Sequence, residues 1–246
     1  MNQATTEKGY KGMGMEGVTA RWYASLTRKA ADDFKALAQR VAKDTPPGSA
    51  VLEVAPGPGY FAIELAKLGG YRITGLDISR TFVEIARRNA AEAGVDVDFR
   101  HGNASDMPFE NASFDFLLCR AAFKNFSQPI RALQEMHRVL KPGGRALIID
   151  LRKDAPVKGV SKAVDDMHLG KVNSVITKLT FRFMLLKRAY TRQEFEEMLS
   201  ETEFASIKIK EDPWGWKCGR SVPGAAQSEP VRTGAGCALR RFFQEY

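Results

Sequence analysis

Apolar positions along the chain change period several times, and each change marks an element. Between Thr19 and Ala42 they recur as Leu26, Ala30, Phe34, Leu37 and Val41, one face of a helix. Ala50–Val54 is instead a short β-prone apolar run, suited to a central parallel strand covered on both faces. Pro56, Gly57, Pro58 and Gly59 stop that strand, and Phe61, Ile63, Leu65 and Ala66 resume helical spacing to about Leu68, where Gly69–Gly70 ends the helix. The alternation continues with a strand at Tyr71–Leu76, a helix at Thr81–Ala93 and strands at Val95–Arg100 and Phe114–Cys119. A helix at Pro129–Leu140 and a strand at Arg145–Asp150 follow. From about 156 to 190 a helical apolar stripe runs through Val160, Val164, Met167, Val172, Ile176, Leu179, Phe183 and Leu186. Thr191 and Glu194 are spaced as a capping box for one more helix, and Phe204–Lys210 and Trp214–Arg220 read as the last strands. From Pro223 the periodicity stops, which predicts a mobile tail over 223–246.

The glycine turn is where chemistry enters. Gly57, Gly59 and Ala62 satisfy G-x-G-x-x-[GA], and Asp77 follows Gly57 by twenty positions, so a dinucleotide fingerprint with its ribose-binding acid fits. Glu53 lies just ahead of the turn, unhelpful to a pyrophosphate but suited to a cationic amino-acid end. In E-V-A-P-G-P-G the chain resembles the class I S-adenosyl-L-methionine-dependent methyltransferases, whose first motif is [DE]-x-G-x-G-x-G. Ala55 replaces the first glycine, a change expected to be harmless if that residue keeps negative φ. GNASDMPFENASFDF resembles the family's G-D-A-x-x-[LM]-P-F followed by S-F-D, with Asn103 at the acidic position, and RVLKPGG before a strand is a third similarity.

The resemblance is closest to the small-molecule branch that includes the ubiquinone and menaquinone biosynthesis C-methyltransferases. It implies an α/β fold: a doubly wound, Rossmann-like sheet of seven strands, mostly parallel with one antiparallel strand, helices on both faces and a helical lid insert. It implies S-adenosyl-L-methionine as methyl donor and S-adenosyl-L-homocysteine as product. The cofactor residues carried over are Glu53, Ala55, Pro56, Gly57, Gly59, Asp77, Ile78, Asn103, Ala104, Cys119 and Arg120. Asp77 would take the ribose hydroxyls, Ile78 a face of the adenine, and Asn103 with the Ala104 N–H its edge. Tyr23, Lys124, Met167, His168 and Phe183 are candidates for touching the acceptor. The histidine that family members often show near Lys124–Asn125 is absent, and no catalytic residue is named.

Charge changes the picture in one place. Residues 46–150 carry 12 basic and 12 acidic side chains, whereas 151–192 carry 10 basic against 3 acidic, within a net +8 overall. That field suits an anionic small substrate, an anionic membrane surface or nucleic acid. It keeps an RNA-directed methyltransferase as the alternative, although no recognisable RNA-binding module accompanies it, with a nicotinamide-dependent oxidoreductase behind it. The three cysteines have no metal spacing, no apolar run reaches a membrane span, and a reducing cytoplasm is expected, with peripheral membrane contact and a homo-oligomer left open. The domain plan is an N-terminal helical cap over 1–45, a methyltransferase domain over 46–222 containing the insert, and the tail.

Overall fold

The computed structural model describes residues 9–11, 14–156, 185–211 and 215–222. The lid candidates Met167, His168 and Phe183, most of the insert, and the tail lie outside them.

Seven strands form one sheet in the order β3-β2-β1-β4-β5-β7-β6. β1 (Ala50–Val54), β2 (Arg72–Asp77), β3 (Asp98–His101), β4 (Phe114–Arg120) and β5 (Leu140–Leu151) run parallel. β7 (Gly215–Ser221) pairs antiparallel with both β5 and β6 (Ser206–Glu211), which makes it the single antiparallel strand of the expected plan. The chain leaves β1 outward through β2 and β3, then returns to the other side of β1 as β4. That reversal opens a crevice at the carboxyl ends of β1 and β4, where an open α/β sheet places its ligand.

Two apolar layers cover the sheet. On one face α2 (Ala31–Asp44), α3 (Tyr60–Lys67) and α4 (Arg80–Glu92) bury Leu37, Phe61, Leu65 and Val83 against Val51, Ile73, Phe99 and Leu118. On the other, α5 (Pro129–Val139) and α6 (Arg192–Ser200) bury Leu133, Met136, Phe195 and Leu199 against Leu52, Leu117 and Ile148. Among the described residues no helix is long and apolar enough to cross a membrane.

Two expectations need correcting. The helix foreseen over Thr19–Ala42 is two helices, α1 (Gly17–Thr27) and α2, joined by a 3-10 turn at Arg28–Ala30. Thr27 sits at the break, its hydroxyl donating back to the carbonyls of Tyr23 (2.8 Å) and Ala24 (3.4 Å), a local bond that competes with helix continuation. β5 begins at Leu140, ahead of Arg145, but its partner on β4 jumps from Phe114 to Phe116 while β5 advances from Leu140 to Arg145. Lys141–Gly144 is thus a bulge, with Gly143 at φ 79°.

Candidate functional site

The turn after β1 is held from below by two buried carboxylates. Glu53, 4% exposed, accepts from the Ala62 N–H of α3 at 3.1 Å. Burial pushes its carboxyl up to about 8, against the downward pull of that N–H and of the Arg120 charge. Asp77 ends β2 beside it; Oδ2 accepts from Gly57 N–H at 2.9 Å and Oδ1 from Ser79 N–H at 2.8 Å. Burial raises Asp77 to about 6, with both N–H groups pulling the other way. Helix capping falls to Ser79, whose hydroxyl accepts from Phe82 N–H at 3.0 Å. At Asp77 the Ile78 N–H pulls downward as well, and the carboxylate still keeps acceptor capacity beyond these backbone donors.

The turn itself is left-handed at three positions: Ala55 (φ 56°), Gly57 (φ 56°) and Gly59 (φ 80°). A β-carbon at Gly59 would collide with Phe99, whereas the space over Gly57 is open, so one glycine serves packing and the other leaves bare backbone facing out. Ala55 overturns the expectation of negative φ. A methyl-bearing residue in that conformation costs about 1–2 kcal/mol, partly offset by the extra unfolded-state freedom glycine would bring. Ala55→Gly is therefore expected to raise stability by about 0.5 kcal/mol, read as a higher urea midpoint at constant slope.

Asn103 follows β3, and its amide oxygen accepts from Ser105 N–H at 3.0 Å. The loop that carries it is clamped by α5. Glu135 accepts from Met107 N–H at 2.7 Å, while the Arg138 guanidinium donates to the carbonyls of Met107 (3.0 Å) and Phe109 (2.7 Å). The Asn103 segment and the helix preceding LKPGG therefore form one mechanical unit. Ala104 is buried within it, and Asp106 points outward with 82% of its side chain exposed.

At the end of β4, Cys119 is fully buried, and burial, aided by nearby Asp150, pushes its thiol well above the usual range. Only its backbone can face the crevice. Arg120 is half-buried, its guanidinium 4.6 Å from the centroid of the Phe34 ring. Lys124 is corrected as an acceptor-binding candidate. It is 3% exposed, and its ammonium donates to Asp150 Oδ1 at 2.8 Å and to the Ala121 carbonyl, so its charge is satisfied internally. Tyr23 packs edge-on against Phe82 at 5.8 Å, and Trp22 is 60% exposed.

A segment before α1, with no local pattern to announce it, crosses this crevice. Gly9 passes so close to Ile78 and Asn103 that a β-carbon would strike both side chains. Tyr10 bridges Phe126, and Lys11 N–H donates to the Asn125 carbonyl at 2.6 Å. Farther along, the Met15 carbonyl accepts from Ser79, and the Glu16 carboxylate takes the Arg80 N–H (3.0 Å) and Thr81 N–H (3.1 Å) at the start of α4.

The residues gathered here fit a sulfonium amino acid joined to a nucleoside. Open backbone, two buried carboxylates with acceptor capacity left and an adjacent guanidinium supply partners for hydroxyls, an ammonium and a carboxylate. Comparison with known proteins agrees. Residues 52–148 match the model of a methyltransferase domain. A Methanococcus maripaludis protein assigned as an S-adenosyl-L-methionine-dependent methyltransferase superposes with a TM-score of 0.70, over 87% of this chain and 96% of that one at 20% identity. Residues 52–148 thus carry a methyltransferase domain, and the fold and the relatives support a class I S-adenosyl-L-methionine-dependent methyltransferase over the nicotinamide alternative. Within that class it is similar to the demethylmenaquinone methyltransferase of Staphylococcus aureus, 29% identical over 73% of this chain and 78% of the relative. The Chlorobaculum tepidum enzyme of the same name is 33% identical over 54% of each chain.

Proposed function

We propose that the chain transfers a methyl group to a small-molecule acceptor, and that Asp77 and Glu53 hold the donor by its two polar ends. The carrying observation is that two buried carboxylates stand at the ends of adjacent parallel strands, on either side of an open glycine turn. Asp77 offers its remaining lone pairs to two vicinal ribose hydroxyls, and Asn103 and Ile78 serve the base. When bound, S-adenosyl-L-methionine supplies a methyl group on a positively charged sulfur, open to in-line attack by an O, N, S or C nucleophile. The protein's part is alignment and dryness, which is worth of order 7–11 kcal/mol for well-oriented partners. A general base is required only where the acceptor must lose a proton in the same step. The relatives' name, a demethylated menaquinone as acceptor, supports a small molecule. Extracts incubated with isotopically labelled methyl donor, followed by mass spectrometry, identify it; labelled RNA in place of a small product overturns this reading.

Asp77→Ala is expected to weaken S-adenosyl-L-homocysteine binding by about 1.5–3 kcal/mol, the worth of hydrogen bonds to a charged group, in isothermal titration calorimetry. The wild type adds a pH signature. Only the ionised carboxylate accepts from both hydroxyls, so affinity holds above about pH 6 and declines as the pH falls through that value. Unchanged affinity in the variant removes Asp77 from the ribose.

A further inference from the structure

We infer that a basic cavity beyond the ends of β4 and β5 holds an anionic group, a carboxylate or a phosphate, carried by the methyl acceptor; the inference rests on the methyl-transfer reading above. The cavity, about 370 Å³, is lined by four cations, Lys11, Lys153, Lys187 and Arg188, together with Tyr190 and Glu194. Three parts of the chain meet there. Lys11 comes from the segment that crosses the crevice, Lys153 from the exit of β5, and the others from the stretch that runs through the short helical turn Leu186–Arg188 into α6. The Lys153 N–H donates to the Tyr190 carbonyl at 3.1 Å, which fixes that stretch to the end of β5. The Tyr190 ring packs on Phe123, just past β4, with centroids 5.8 Å apart. Lys11 is tied to the same exit by its bond to the Asn125 carbonyl. Gly9, which grazes Ile78 and Asn103, is only two residues, at most about 7 Å of chain, from Lys11. The cavity therefore adjoins the donor crevice on the side where the reacting methyl group would stand.

The charges there are unequally matched. Glu194 is spent on Lys153, at 2.6 Å, and on the Thr191 N–H of its own cap, at 2.8 Å. Lys11, Lys187 and Arg188 have no carboxylate partner among the described residues. The Lys11 ammonium stands 4.6 Å from the centroid of the Tyr190 ring and donates to its hydroxyl. A phenol that accepts from an ammonium still has its own proton to donate, so Tyr190 adds a fourth donor group to the three cations. Like charges brought together in a concavity repel one another and focus their field inward, and an oxyanion relieves both effects. These donors line a cavity near the lower end of the range of about 300–1,000 Å³ for small-ligand sites, which favours a small molecule over a membrane surface or a nucleic acid.

The test uses three probes that share an aromatic ring: phenyl phosphate, benzoate and phenol. Ligand NMR titrations, with S-adenosyl-L-homocysteine present, compare the full wild-type chain with Lys187→Gln/Arg188→Gln and with a charge-matched control on β6, Lys208→Gln/Lys210→Gln. At least one of the two anions is expected to bind tenfold or more tightly than phenol. The first pair of substitutions is expected to lower that affinity by about tenfold to a hundredfold, the range of hydrogen bonds to a charged group, and the control pair by less than twofold. Affinity for S-adenosyl-L-homocysteine should stay within twofold throughout. In the extract screen above, the labelled product should be retained by an anion exchanger at pH 7. Phenol binding as tightly as both anions, equal losses in the two pairs, or a labelled product that flows through the exchanger overturns the inference. So does sedimentation with phosphatidylglycerol but not phosphatidylcholine vesicles, lost in the first pair, in a chain that shows no preference among the three probes. A wild type that binds the anions but not S-adenosyl-L-homocysteine overturns the donor site, and the acceptor assignment falls with it for that separate reason.

Discussion

Lys124→Met is expected to destabilise the protein by about 3–5 kcal/mol, the usual consequence of leaving one member of a buried ion pair without the other. Lys124 and Asp150 have 4% and 1% of their side chains exposed, with the ammonium 2.8 Å from Oδ1. Asp150 also accepts from the backbone N–H groups of Lys124 (2.8 Å) and Leu151 (2.7 Å), so the carboxylate ties the exit of β4 to the end of β5. With the ammonium gone, those two donors remain, and the loss is placed at the lower end, about 3 kcal/mol. Asp150→Asn in the same chain removes the orphaned charge, and the double variant is expected to recover at least half of the loss. Urea titrations of the four proteins give the coupling directly. A loss below about 1 kcal/mol would mean that water already reaches the pair, as it does for exposed pairs.

That pair also shows where sequence legibility ends. Lys124 follows β4 at the edge where ligands bind, so a basic side chain there reads as a substrate hand; nothing local says that Asp150, 26 residues away, draws it inward. The glycine turn, Asp77 and the alternating strands were legible because each rests on short-range rules: β-prone runs, turn residues and a carboxylate at a strand end. Glu194 and Thr191 form the capping box their spacing foretold. The φ of Ala55 was not legible, since a motif shows which residue departs from glycine and not whether the backbone moved with it. Equally hidden was Glu16, whose carboxylate serves the first N–H groups of α4 from more than 60 residues away. Helix starts advertise their own caps, and a cap supplied from elsewhere leaves no trace nearby. The partnership of Asn103 with α5 belongs to the same class: both motifs were visible, but the Glu135–Arg138 clamp that makes them one unit is a tertiary fact.

Glu53→Gln is expected to act in opposite directions on folding and on binding. The carboxyl of Glu53 is raised from 4.5 to about 8 in the fold by burial, so the folded chain retains a proton that the unfolded chain releases. Stability contributed at this position is therefore unimpaired below about pH 4.5, falls as the pH rises towards 8, and stays reduced above it. Glutamine is close in shape to the protonated acid, and its amide oxygen can accept from Ala62 N–H as Glu53 does. It has no proton to lose in either state. The variant should match the wild type near pH 4, exceed it by about 3 kcal/mol at pH 7, and gain somewhat more at pH 9. Urea midpoints at the three pH values check this, and a pH-independent difference would show that Glu53 is hydrated in the fold. Binding should move the other way, because an amide cannot neutralise the ammonium of a bound amino-acid end. Affinity for S-adenosyl-L-homocysteine is expected to drop by about 1.5–3 kcal/mol while that for 5′-methylthioadenosine, which keeps the adenosine and the sulfur but ends in a methyl group, holds. A residue kept only for packing would lower both quantities when replaced. One that stabilises the empty protein when removed, and costs affinity for a zwitterion alone, is retained for its ligand at the expense of the fold.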